Sequence, residues 1–295
     1  MEPSLLGVVG AGVIGVSVVQ DLAQSGHDVV VVDRDVQTLT AAERTLRRNV
    51  RLHHLVAATD APLDAKEVLG RVRFTTDLAD MADRQFIIEN VTEDWEIKRA
   101  VYVEIDRVCE PACIFAVNTS VIPITKIAAV TARPSNVIGM HFMNPVPLKP
   151  VVEVIRGHHT SQETIDAATR LLKQMAKTPI VVNDSPGFVS NRVLMVTINE
   201  AAFLVHEGVS TPRDIDTIFR KCFGHAMGPL ETADLIGIDT ILRSVDMLWA
   251  EFKDSKYRPC PLLGTMVNAG LLGRKSGEGF HMYQGSTIID DSKGK

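Results

Sequence analysis

Residues 5–33 read LLGVVGAGVIGVSVVQDLAQSGHDVVVVD. The stretch opens on an apolar run, Leu5–Val9, of a length that suits one buried strand. It turns at Gly10-Ala11-Gly12-Val13-Ile14-Gly15 and continues as an amphipathic helix to about Ser25. Gly26 ends that helix, and a second apolar run over 28–32 closes on Asp33. Strand, Gly-x-Gly-x-x-Gly, helix, strand and acid, in that order, form a dinucleotide site. Gly10 permits the tight turn, Gly12 lets the backbone approach a pyrophosphate, and Gly15 lets helix and strand pack closely. The first amides of the helix, around Val13 and Ile14, are the ones that hold the phosphates. Asp33 sits where a carboxylate accepts both ribose hydroxyls and repels a 2′-phosphate, which favours NAD over NADP, although Arg34 beside it weakens that preference. A close-packed glycine turn without a ligand is the alternative, and the flanking strands and the acid weigh against it.

Working outward, apolar runs recur at 72–75, 86–89, 113–117, 137–140, 151–155 and 178–182. Helical stretches lie between them at 36–57, at the end of 58–70, at 95–108, from about 123, and at 161–177. This alternation predicts an α/β, Rossmann-type doubly wound fold with a mainly parallel sheet. Asn183-Asp184-Ser185-Pro186-Gly187 is rich in turn formers and marks a boundary. Beyond it the pattern is helical: 188–207, unusually apolar at its centre, then stretches from 211 and 229, at 239–251, and at 261–269. A glycine-rich, basic closing loop spans 270–280, and the polar tail 284–295 reads as frayed. The expectation is a dinucleotide-binding domain over 1–184 and a smaller all-helical domain over 185–295.

The chemistry concentrates in MHFMNPVPLKPVVEVI, residues 140–155. His141 leaves a short apolar run, three prolines follow, and Glu153 lies inside a β-rich run. A buried strand has little reason to hold a lone carboxylate unless something pairs with it. A Pro-rich turn that folds the chain back would bring the histidine to it, and an imidazole held by a carboxylate is a general base tuned near neutral pH. A structural histidine and a glutamate on a wet face fit this stretch as well. At 118–120, Asn-Thr-Ser follows an apolar run, where ligands bind in open α/β sheets; a helix cap is an equally adequate role. Arg44, Arg47, Arg48 and Arg51 fall on neighbouring faces of one helix, either as a solvated face or as a clamp for an anionic substrate handle.

Composition narrows the classes. At 295 residues the chain suits two domains, and 45% hydrophobic with 23% charged residues is ordinary for a globular protein. A net charge of −5 argues against a general nucleic-acid role. The start enters a strand without a basic and apolar leader, so no signal peptide is expected, and no apolar run has the ~20 residues a membrane span needs. The four cysteines, at 109, 113, 222 and 260, lack metal spacing and read as reduced thiols of a cytoplasmic protein without a metal site.

Taken as an ordered set, GVVGAGVIG, IENVTEDWEIK at 88–98, NTS at 118–120, the 140–155 stretch, DSPGFVSNRVL at 184–194, GPLETADLIGIDT at 228–240 and GRKSGEGF at 273–280 resemble the L-3-hydroxyacyl-CoA dehydrogenases, including the bacterial 3-hydroxybutyryl-CoA dehydrogenases. The resemblance covers nearly the whole chain. It implies NAD-dependent oxidation of a 3-hydroxyacyl thioester and a homodimer formed through the helical domain. It implies His141 as base, Glu153 as its orienting carboxylate, and Ser120 and Asn191 as hydrogen-bonding partners of the substrate oxygen and the histidine. Glu93 and Lys98 match positions beside the nicotinamide half of the cofactor, and Asn118 is a further cofactor-binding candidate. The departure is on the helix after Asp33. Where relatives place lysines for the CoA phosphates, this chain has Thr45 and Leu52, with Arg48 and Arg51 as the available cations. An acyl carrier protein as handle is therefore an alternative to CoA. Two further alternatives are oxidation of a free 3-hydroxy acid and a crystallin-like structural role.

Overall fold

The computed structural model describes residues 5–56 and 64–289, with backbone alone at 54–56. Part of the expected polar connection after residue 56 and the last six residues of the tail lie outside the described residues. The chain divides into one compact unit that ends at Ser185 and a second that begins at Pro186.

The first unit runs β1 (Leu6–Val9), α1 (Val13–Gln24), β2 (Val29–Val32), α2 (Val36–Val56), α3 (Ala65–Gly70), β3 (Val72–Thr75), β4 (Phe86–Glu89), α4 (Trp95–Val108), β5 (Ile114–Val117), α5 (Ile124–Ala128), β6 (Val137–His141), β7 (Val151–Arg156), α6 (Gln162–Gln174) and β8 (Thr178–Asn183). The eight strands form one sheet in the order β3-β2-β1-β4-β5-β6-β7-β8. Every neighbouring pair is parallel except β6 and β7, which the Pro-rich turn makes antiparallel. Valine-rich runs such as Val29–Val32 are buried throughout, as strands of a sheet covered on both faces must be. One cluster that includes Val8, Leu22, Val31, Leu46, Ile138 and Leu171 joins the sheet to α1, α2, α3 and α6.

The strand order changes direction at β1, with β2 and β3 on one side and β4 onward on the other. Carboxyl ends at such a switch point open a crevice. Gly10 stands there at φ 96, and a Cβ on it would meet the Asn90 and Val91 backbone at 2.8–2.9 Å. Only glycine fits that turn.

The helix starts follow local chemistry. Asp94 accepts from Ile97 N at 3.0 Å to cap α4, and Ser161 accepts from Thr164 N at 3.2 Å to cap α6. For α5 the cap is remote: the Asp184 carboxylate accepts from Ile124 N at 3.1 Å and Thr125 N at 2.8 Å.

The second unit runs α7 (Ser190–His206), α8 (Pro212–Cys222), α9 (Pro229–Ile236), α10 (Ile238–Phe252) and α11 (Pro261–Asn268), then the hairpin β9 (Met282–Gln284) and β10 (Thr287–Ile289). It has its own core, with Ile198, Ile241, Leu248 and Leu263. The hairpin adds two short strands to this helical domain and gives residues 284–289 of the expected frayed tail a paired structure. Asp234 of α9 accepts from Phe280 N and His281 N, each at 2.9 Å, and from Tyr283 Oη at 3.0 Å, so the segment entering the hairpin is pinned to the helices. Among the described residues, no helix is long and apolar enough to cross a membrane.

Candidate active site

His141 ends β6, and the ladder places it directly opposite Glu153 on β7. Its Nδ1 lies 2.9 Å from Glu153 Oε2, with both side chains buried. The other ring nitrogen, Nε2, is 3.1 Å from Ser120 Oγ. A carboxylate can only accept, so Nδ1 carries the hydrogen, and in the neutral ring Nε2 presents its lone pair toward Ser120. The ring is thus oriented from behind by Glu153 and leaves a base on the Ser120 side.

The loop that carries Ser120 is held by charge. Glu93 Oε1 accepts from Ser120 N at 3.0 Å, from Val121 N at 3.3 Å and from the Thr119 hydroxyl. Lys98 has no exposed surface; its ammonium lies 2.8 and 2.9 Å from the Glu89 carboxylate oxygens and 2.9 Å from the Asn118 carbonyl. Burial pushes the Glu89 carboxyl up, and the Lys98 charge opposes it. Asn118 donates to Asn90 Oδ1 at 2.7 Å and accepts from Phe142 N at 3.1 Å, which ties the ends of β4, β5 and β6 together. Lys98 therefore acts on the site through the backbone of the 118–121 loop, and Glu93 through its amides.

Sequence reasoning assigned Glu89 no part, and Thr119 only a place in the Asn-Thr-Ser run. A glutamate closing the apolar run Phe-Ile-Ile-Glu was the available signal, since a carboxylate there needs a cation.

The glycine turn fits a dinucleotide. A Cβ on Gly12 would meet no protein atom within 4 Å, so the backbone there is open to a ligand. Gly12 is the N-cap of α1, has no side chain to cap it, and no acid stands in the first turn, which includes Val13 and Ile14. A helix start of that kind attracts phosphate. Gly15 packs against the Gly10 carbonyl and the Asn90 side chain, where a Cβ would clash. Asp33 closes β2 with Oδ2 accepting from Ala11 N at 2.9 Å and Oδ1 from Asp35 N at 3.2 Å. This carboxylate is thereby tied to the glycine turn.

Beside this turn lies a cavity of about 640 Å³ between α1, α2 and the 144–148 turn. Thr45, Arg48 and Leu52 line it from α2; Arg51 lies exposed on the same helix. Asn191 stands in the second unit, half-buried at the start of α7.

The model of the 3-hydroxyacyl-CoA dehydrogenase NAD binding domain matches residues 5–185, and that of the C-terminal domain of the same family matches 187–283. The chain belongs to the 3-hydroxyacyl-CoA dehydrogenase family. It is an NAD-dependent oxidoreductase of that family. Relatives include a probable 3-hydroxybutyryl-CoA dehydrogenase of Deinococcus radiodurans, 49% identical over 94% of this chain and 99% of that protein. The 3-hydroxybutyryl-CoA dehydrogenase of Clostridioides difficile is 42% identical over 94% and 99%. Among solved structures, the (S)-3-hydroxybutyryl-CoA dehydrogenase of Ralstonia eutropha superposes with a TM-score of 0.91 at 40% identity, covering 96% of this chain and 100% of that one.

Proposed function

We propose that this enzyme oxidises the 3-hydroxyl of a short-chain (S)-3-hydroxyacyl-CoA to the 3-oxo thioester, reversibly, with His141 as general base. The line Glu153–His141–Ser120, at 2.9 and 3.1 Å, carries the proposal. The relatives named for 3-hydroxybutyryl-CoA support the short acyl chain.

In this reading the first unit is the dinucleotide-binding domain, and the second supplies Asn191 and the dimer contact. NAD, when bound, supplies the acceptor for the hydride that leaves C3. His141 Nε2 takes the proton of the C3 hydroxyl, and Glu153 fixes the tautomer and stabilises the imidazolium. Ser120 and Asn191 donate to the oxygen as charge develops on it. Asn118, Glu93 and Lys98 hold the loop on the cofactor side. In the reverse direction the imidazolium returns the proton; reduction consumes one proton per turnover, so its equilibrium gains as pH falls. Replacing His141 by Ala is expected to leave NADH binding intact and to lower turnover by about 10²-fold or more. Near-normal turnover would remove His141 from the mechanism.

Arg48 and Arg51 are the cations proposed for the handle of the substrate. Leu52 in the cavity wall and the arginines exposed on α2 favour a second reading, in which the thioester is carried by an acidic acyl carrier protein. Turnover on one acyl group linked to CoA or to carrier protein separates the two. The exposed apolar residues Val189 and Val193 at the start of α7, at 56% and 63% exposure, support a homodimer. Sedimentation velocity showing a monomer at micromolar concentration would rule that out. A reducing compartment such as the cytoplasm suits the four free cysteines.

A further inference from the structure

The turn that walls the cavity is gripped at one residue. Val146 sits at the centre of the Pro-rich turn between β6 and β7, fully buried. Its N–H donates to Ser17 Oγ of α1 at 2.9 Å, and its carbonyl accepts from Lys177 Nζ at 2.7 Å. The same ammonium is 3.0 Å from Asp21 Oδ2, again on α1. Ser17, Asp21 and Lys177 are all buried. Both backbone polar groups of this one turn residue are thus bound to side chains that α1 carries or pairs with, and the carbonyl also accepts from Lys149 N at 3.2 Å. On either side of Val146, Pro145, Pro147 and Leu148 face the cavity, opposite Gly12, Val16 and Ser17.

Such a grip is expensive for what a turn needs. Burial pushes the Asp21 carboxyl up, with Lys177 opposing it, so ionising this acid costs free energy in the fold. A buried ion pair of this kind is often replaceable by apolar residues without loss of stability. Nor does the base depend on it, because His141 and Glu153 are fixed opposite each other by the ladder itself.

We propose that Ser17, Asp21 and Lys177 are positioning residues which, through the Val146 peptide, set the wall against which the handle of the thioester substrate lies. The set rests on the reading of the cavity as the handle's site. It also fixes that wall to α1, the helix whose start faces the pyrophosphate, so handle and cofactor are placed by one rigid element.

The test compares the holoenzyme on acetoacetyl-CoA and on acetoacetyl-N-acetylcysteamine, a thioester that lacks the nucleotide and most of the pantetheine arm. In a D21L/K177M variant, KM for acetoacetyl-CoA is expected to rise about tenfold, which corresponds to ~1.4 kcal/mol, while kcat stays within about twofold. The truncated thioester should show no change in KM, and the melting temperature should not fall. Ser17→Ala, which removes one hydrogen bond and spares the ion pair, should raise KM for the CoA substrate by about threefold. Lys177→Arg, which keeps a donor for the Val146 carbonyl, should restore most of the loss. Equal losses on both substrates would overturn the proposal, because the set would then only support the fold. Unchanged KM on both would overturn it as well. Equal kcat/KM of the unaltered enzyme on the two thioesters would instead remove the cavity as the handle's site.

Discussion

Glu153 does two things for His141, and they can be separated. It accepts the Nδ1 hydrogen at 2.9 Å, which fixes the tautomer, and it carries a charge that favours the imidazolium. Glutamine in its place can still accept that hydrogen through its amide oxygen but brings no charge. Glu153→Gln is therefore expected to lower kcat for oxidation by about 10²-fold, since general base assistance is worth about 10²–10⁴. NADH affinity, read by fluorescence titration, should be unchanged, and a kcat within twofold of the parent would show that the charge is idle. This pair was legible in the sequence because a carboxylate inside an apolar strand demands a partner, and the Pro-rich turn offered His141. The charge pair behind the Ser120 loop was less legible. Lys98 and Glu93 were recognisable by position, but nothing in the spacing said that Lys98 is spent on Glu89 and on the Asn118 carbonyl.

At the scale of elements, the strands declared themselves as apolar runs and the glycine turn as a motif, because both are local. What stayed hidden depends on contacts far apart in the chain. The α5 cap comes from Asp184, about sixty residues on, and the hairpin from Met282 depends on Asp234 in α9. A carboxylate with three donors is a lock, and its loss is expected to cost about 1–3 kcal/mol in Asp234→Asn, whose amide nitrogen faces N–H groups. That cost has a pH dependence of known sign. Burial pushes the Asp234 carboxyl above its ordinary 3.8, with the Phe280, His281 and Tyr283 donors opposing it. In the unfolded chain the group titrates near the ordinary value. The stability that it contributes is then fully present below that value and is lost as pH rises through the raised one. Asparagine has no such titration, so the parent's advantage should shrink over the interval above about pH 4 in urea unfolding series. An advantage that grows over that interval would mean the three donors outweigh burial.

For the whole molecule, the two units carry separate cores, and the proposed chemistry asks for residues from both. The glycine turn, Asp33, His141 and Ser120, to which the proposal gives cofactor and proton-transfer roles, all belong to the first unit, and that unit alone should answer to the cofactor. Hydrogen exchange on the intact enzyme with saturating NADH is expected to slow amides around Gly10–Val16 and Asp33, together with the 118–121 loop. Helices α10 and α11 should keep their rates, because a ligand slows exchange where it stabilises the folded state locally. Asn191 is different. If it hydrogen-bonds the substrate oxygen, then acetoacetyl-CoA with NAD, which cannot turn over together, should extend protection to the first turn of α7. The cavity wall at 144–148 should be protected in the same complex and not by cofactor alone. Protection at the 144–148 turn without any at α7 would place the handle correctly and confine the reacting oxygen to the first unit. Ser120 and His141 would then act without help from Asn191.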